Sequence, residues 1–95
     1  MKFEAFISSI MDTYPPAAME PLLLALWYDA KGDWESSHNI VQDIDTAEAA
    51  HLHAYLHRKE GDSWNADYWY RKAGVKRPST SLEEEWDSLV KQHSL

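Results

Sequence analysis

Apolar residues recur along this chain at three- and four-residue steps, the spacing of one face of an α-helix. Phe3, Phe6, Ile7, Ile10 and Met11 place a first amphipathic helix over residues 2–12. Tyr14-Pro15-Pro16 ends it, because proline lacks the N–H and disfavours helix in the residue before it. Pro21 suits the first turn of a second helix through LLLALWYDAK, where Leu22, Leu23, Leu26, Trp27 and Ala30 make a stripe broad enough to sit centrally in a core. Gly32 stands where a helix C-cap belongs and Asp33 where the next N-cap belongs. A third helix runs from Trp34 to about Gln42, with Trp34, Ser37, Ile40 and Val41 in register. Asp45-Thr46-Ala47-Glu48 has the spacing of a capping box with Asp45 as the N-cap, opening a fourth helix that reaches Lys59. Gly61-Asp62 repeats the cap pair and starts a fifth helix, Ser63 to Ala73, closed by Gly74. Val75 to Thr80 is a basic linker containing Pro78. Ser81-Leu82-Glu83-Glu84 is a further capping box, and Leu82, Trp86, Leu89 and Val90 dock the last helix. No stretch alternates with period two, so the fold class is all-α, with five or six helices and no sheet.

A shift of 29 residues lays ALWYDAKGDW on AYLHRKEGDS, matching Ala25 with Ala54, Gly32 with Gly61 and Asp33 with Asp62. Ser37 matches Ala66, and Ser36 matches Asn65. Small residues a turn either side of a cap let two antiparallel helices approach closely, so the pattern predicts two helical hairpins turning at Gly32-Asp33 and Gly61-Asp62, with the first and last helices as covers. Over Leu22 to Gly74 the arrangement resembles the hairpins of tetratricopeptide and Sel1-like repeats. Its period is shorter than the 34 residues of tetratricopeptide units, and no proline closes the first hairpin. That resemblance implies an α–α stack used to bind protein or peptide. Separately, HAYLHRKEGD followed by NADYWYRKAG is similar to a small group of uncharacterised proteins, a likeness that implies no activity.

Composition narrows this picture. Ninety-five residues with 44% hydrophobic and 13% aromatic content suit one domain, 1–95, with a single core. No cysteine is present, which removes disulfides, thiolate metal sites and cysteine nucleophiles and fits a cytoplasmic setting. Leu22 to Tyr28 is the longest apolar run, too short to span a bilayer, so no membrane is expected. The net charge of −7 argues against nucleic acid as a partner. The charge is uneven. Residues 1–50 hold two basic and nine acidic residues, and residues 51–80 hold six basic and three acidic. A basic middle on an acidic protein either offsets its flanks or receives an anion or acidic partner.

Residues 51–74 concentrate the candidate chemistry. His53, His57 and Glu60 fall at i, i+4 and i+7, within roughly 60° of one another on a helix. Imidazoles one turn apart can share a divalent transition metal, with Glu60 as a third ligand and His38 as a possible fourth. The ordinary alternative is a pair of half-buried histidines hydrogen-bonded in the core. They could also serve acid–base chemistry, but no nucleophile accompanies them, because Ser63 beside Asp62 reads as part of a cap. Three separated glycines make no phosphate cradle. Trp64, Tyr68, Arg71 and Lys72 share a side of the fifth helix, with Asn65 and Trp69 beside them. Aromatics interleaved with cations can hold an acidic peptide or a flat ligand, and the same stripe can simply be core. A mid-helix Asn65 needs a partner for its amide. Arg58 and Glu60 are expected to pair across the hairpin with Arg71 or Asp67.

The expected function is therefore a non-enzymatic helical-hairpin module with a protein or peptide partner, bound on the aromatic–basic side of helices four and five. No cofactor is required. The alternative is a small-ligand or metal site on His53, His57 and Glu60. An open stack also leaves apolar ends through which the chain could form a homo-oligomer.

Overall fold

A computed structural model describes residues 1–95 as six helices and no strand. They are α1 (Phe3–Ser9), α2 (Pro21–Ala30), α3 (Trp34–Val41), α4 (Ala47–Lys59), α5 (Ser63–Ala73) and α6 (Leu82–His93). None is long and apolar enough to cross a membrane.

The helix boundaries follow the cap chemistry. The Glu20 carboxylate accepts from the N–H groups of Leu22 and Leu23, and Pro21 occupies the first turn. Gly32 and Gly61 both adopt left-handed φ, at 82° and 88°, which a side chain would strain. Each is followed by an aspartate whose carboxylate caps the next helix. The two turns are built alike in detail. Ser36 Oγ donates to Asp33 Oδ2 at 2.7 Å, and Asn65 Nδ2 donates to Asp62 Oδ2 at 2.8 Å. At α6 the expected box closes, with Glu84 N–H on Ser81 Oγ at 3.1 Å and Ser81 N–H on Glu84 Oε1 at 3.2 Å.

Two boundaries differ from the sequence reading. The first helix stops at Ser9, and residues 10–12 continue as turns bonded i to i−3 at 3.0–3.2 Å. Side chains of α2 and its C-cap bond to carbonyls of this stretch: Trp27 Nε1 donates to Ser9 O, and Lys31 Nζ donates to Ile10 O and Asp12 O. The N-cap of α4 is Thr46 rather than Asp45, its Oγ1 accepting from Ala49 N–H at 3.1 Å. Glu48 then lies one position too early to reach back, so no box forms there.

Helix α4 shares the centre of the core with α2, as expected of the apolar stripe there. Eight of its 13 residues are buried, against six of ten in α2 and two of eleven in α5. It packs against α5 most closely and also meets α3 and α6. Phe6, Leu23, Leu26, Leu52, Leu56, Leu89 and Val90 fill the main core, and each is under 2% exposed. Three indoles enter it with their N–H groups satisfied by backbone, Trp27 on Ser9 O, Trp34 on Leu56 O and Trp86 on Leu26 O. Buried carboxylates tie helices together. Asp29 of α2 accepts from Tyr55 Oη at 2.6 Å and from Lys59 Nζ at 2.8 Å, both on α4. Glu85 of α6 accepts from His51, Arg58 and Tyr70. Arg58 therefore turns to α6 and to Thr80 O in the segment before it, and not across the hairpin as expected. Asp67 pairs with Arg77 instead of Arg58.

Small residues line the hairpin seams. Ala25, Ser37, Ala54 and Ala66 are all fully buried, at 0% exposure. Ser37 Oγ finds no hydrogen-bond partner. A buried hydroxyl without a partner costs stability, and the matching position of the second hairpin is Ala66. Ser37→Ala should accordingly raise unfolding stability by about 1 kcal/mol, read as a higher urea midpoint at unchanged slope. A lower midpoint would mean that the hydroxyl is satisfied.

Candidate functional site

The α4–α5 hairpin carries two distinct surfaces. Its inner side faces α3 and gathers three histidines. Its outer side, on α5, faces solvent with aromatics and cations.

The inner cluster begins with α4. His53 and His57 lie one turn apart on the face turned to α3, and α3 presents Trp34 and His38 one turn apart in return. His38 Nε2 and His53 Nε2 are 3.0 Å apart, so one ring donates and the other accepts. The ring centroids are separated by 4.7 Å for His38–His53, 5.3 Å for His38–His57 and 4.9 Å for His53–His57. One ligand nitrogen from each of the three lies within 4.8 Å of the others. Two indoles brace the cluster. Trp34 stacks on His38 at 4.8 Å with 9° between planes, and Trp69 stacks on His53 at 3.9 Å with 15°. Trp34 is itself fixed by its bond to Leu56 O at 2.8 Å.

Two of the rings, His38 and His53, are held neutral. Burial lowers the pKa of His53 to about 4, helped by the neighbouring His38 and His57. His38 is lowered by burial and by His57, with Glu60 acting weakly in the opposite direction. Both are therefore neutral imidazoles at neutral pH, each with one nitrogen lone pair. Beside them runs a cleft of about 350 Å³ between residues 41–47 and α5, lined by His53, Trp69 and Lys72 among others.

Glu60 does not stand in line with the two histidines as a third ligand. It accepts from His57 Nδ1 at 2.7 Å and is otherwise open to solvent, with a side chain 38% exposed. The reason is its place at the C-cap of α4, where the chain turns away from the cluster. His38 stands against the pair instead, its Nε2 3.0 Å from that of His53. Asn65 does not reach the cluster either, because its amide is spent on the Asp62 cap. Asp62 is held well below its ordinary pKa by the Asn65 side-chain and backbone donors.

On the outer side, Trp64 is 77% exposed and Tyr68 39% exposed, and Arg71 and Lys72 are exposed next to them. Lys72 Nζ sits 5.8 Å from the Tyr68 ring and 5.7 Å from the Trp69 ring. The exposed aromatics of this patch all lie on α5, whereas Arg58 of α4 is engaged inside the fold.

The bracing role of Trp34 was not anticipated. Its signal was the pairing of Trp34 with His38 at i, i+4. Glu85 was missed too, although it lies at the edge of the apolar stripe of α6, where a carboxylate must find partners.

Together these features define an all-α helical-hairpin protein with a buried histidine cluster and an exposed aromatic–basic helix. No family model, curated protein or solved structure matches the chain.

Proposed function

We propose that the chain is a non-enzymatic, cytoplasmic binding module that takes an acidic peptide segment on the outer face of α5. The observation that carries this reading is an exposed tryptophan flanked by unpaired cations on an acidic protein. Trp64 is 77% exposed, where large aromatics in soluble proteins usually bury most of their area. Arg77 is held by Asp67, but no carboxylate pairs with Arg71, Lys72 or Lys76. Tryptophan, tyrosine and arginine are the residue types that dominate binding energy at interfaces. The fold leaves the face open. In a longer stack the next hairpin would cover α5, whereas here α6 folds back onto α2 and α4. Net charge −7 repels acidic partners in general, so the local cations select where one can approach.

A displayed random-peptide library selected on the wild-type protein tests this. Enriched peptides should carry net negative charge and bind less tightly as salt rises. Trp64→Ala should weaken them by about 30-fold or more, a hot-spot loss, while leaving folding intact. Lys72→Glu should weaken them similarly. Enriched peptides with no charge bias, or equal binding to Trp64→Ala, would sink the reading. Sedimentation showing a dimer that Trp64→Ala dissolves would replace the peptide with a second copy of the chain.

A further inference from the structure

We propose that His38, His53 and His57 bind one divalent first-row transition metal through one imidazole nitrogen each, with Glu60 orienting His57 from outside the coordination sphere. The inference is independent of the peptide-binding reading, since its ligands lie on the inner side of the hairpin and only Lys72 borders both regions.

Geometry comes first. A tetrahedral zinc site with Zn–N of about 2.0–2.1 Å places its ligand nitrogens about 3.4 Å apart. The three histidines already bring one nitrogen each within 4.8 Å of the others, with His38 and His53 at 3.0 Å. Small side-chain rotations bring the three nitrogens to that spacing. The helices supply the register: His53 and His57 are one turn apart on α4, and α3 delivers His38 against them.

Three imidazoles so close are hard to explain as ordinary core. Each is a polar ring, and His53 and His57 are only 5% and 8% exposed. Apolar residues would fill the same space without desolvating nitrogen lone pairs. Adjacent rings also cannot all protonate, so the single Glu60 carboxylate beside His57 does not account for the three. A metal ion accounts for all three at once, because neutral imidazole is its preferred form of this ligand. One proton shift is needed. The ring that donates in the His38–His53 contact must move its proton from Nε2 to Nδ1, which frees both facing lone pairs.

Outer contacts follow the pattern of built metal centres. His57 Nδ1–H donates to the Glu60 carboxylate at 2.7 Å, which fixes the tautomer and leaves Nε2 as the ligand atom. Trp34 and Trp69 fix the planes of His38 and His53 by stacking. Asp62, the other carboxylate near His57, comes within 4.8 Å of His57 and Glu60 but is engaged by the α5 cap. Three protein ligands leave the remaining position to water or an added ligand. The cleft lined by His53, Trp69 and Lys72 gives an approach from solvent.

The test uses the full, tag-free chain freed of metal by chelator and titrated with Zn²⁺ and with Co²⁺. Binding should saturate at one ion per chain, raise the melting temperature, and give Co²⁺ the intense visible absorption of a tetrahedral nitrogen site. His38→Gln is the cleanest variant, because His38 is half-buried and its loss opens no core; it should abolish the Co²⁺ spectrum. His57→Gln should do the same. Glu60→Gln should retain one ion with affinity lowered about 10- to 100-fold. His51→Gln, His93→Gln and Trp64→Ala should bind as the wild type does. Absence of saturable one-to-one binding to the wild-type chain would overturn the proposal, whatever the variants do. So would a Co²⁺ spectrum that survives His38→Gln and His57→Gln, or one lost in His51→Gln or His93→Gln.

Discussion

Glu85→Gln is expected to destabilise the protein by about 3 to 5 kcal/mol at neutral pH, the cost of leaving one partner of a buried ion pair alone. Domains of this kind hold about 5–15 kcal/mol in all, so the variant should be close to unfolding at ambient temperature. Glu85 is 4% exposed and joins three helices. Its carboxylate accepts from Arg58 Nη1 at 2.7 Å and His51 Nε2 at 3.3 Å on α4, and from Tyr70 Oη at 2.7 Å on α5. An amide keeps the shape but loses the charge that Arg58 requires, and its N–H₂ group faces other donors. The pH dependence follows from the same contacts. Burial pushes the Glu85 pKa up, but the donors His51, Tyr70 and Arg58 outweigh it and hold the group below its ordinary 4.5. A carboxylate with a depressed folded pKa contributes its full stabilisation above the unfolded value and loses it as pH falls through the folded one. The gap between wild type and Glu85→Gln should therefore be widest near neutrality and shrink as pH drops below about 4.5. Urea unfolding across that range measures it. A gap that stays constant on acidification would assign the effect to packing instead of charge.

Much of the architecture was legible because it is encoded locally. Gly32-Asp33 and Gly61-Asp62 specify their turns by backbone conformation and cap chemistry, which involve only neighbours in sequence. Ser81 and Glu84 close their box for the same reason. What failed was long-range. Arg58 had no visible reason to prefer Glu85, 27 residues away, over a partner across the hairpin. Only the crossing of α6 over α4 brings them together, and helical periodicity does not contain that angle. The histidine site shows the same division. The spacing of His53 and His57 placed them on one face, and Glu60 shared their direction on an ideal helix. The helix ends at Glu60, however, so its side chain departs from that direction. His38 meets the pair because α3 packs against the face that carries them, a tertiary fact that the i, i+4, i+7 count cannot supply. The aromatic stripe of α5 was likewise readable as a stripe but not as a surface. Trp64 and Trp69 are equally aromatic; one is exposed and the other stacks on His53.

Ala66→Leu probes the junction on which both surfaces depend, and it should destabilise by about 1–3 kcal/mol, the usual cost of overfilling a packed site. Ala54 and Ala66 are at 0% exposure where α4 and α5 meet, with Tyr70 and Trp69 packed around them. The methyl groups set how near the two helices come. A leucine there forces them apart, and the first contact to open should be the 3.9 Å stack of Trp69 on His53, because it spans the same seam. Two readouts separate this from a general loss of stability. The ring resonances of His53 should shift in Ala66→Leu under conditions where the variant is still fully folded. Trp64→Ala, on the opposite face of the same helix, should leave those resonances and the unfolding midpoint within about 0.5 kcal/mol of wild type. The equivalent insertion in the other hairpin, Ser37→Leu, should destabilise comparably but disturb the α2–α3 seam. If Ala66→Leu is accommodated without change in stability or in the His53 signals, the small residues are not what brings the helices together. The positioning of His53 over Trp69 would then have to come from the Asp62 cap and the turn at Gly61.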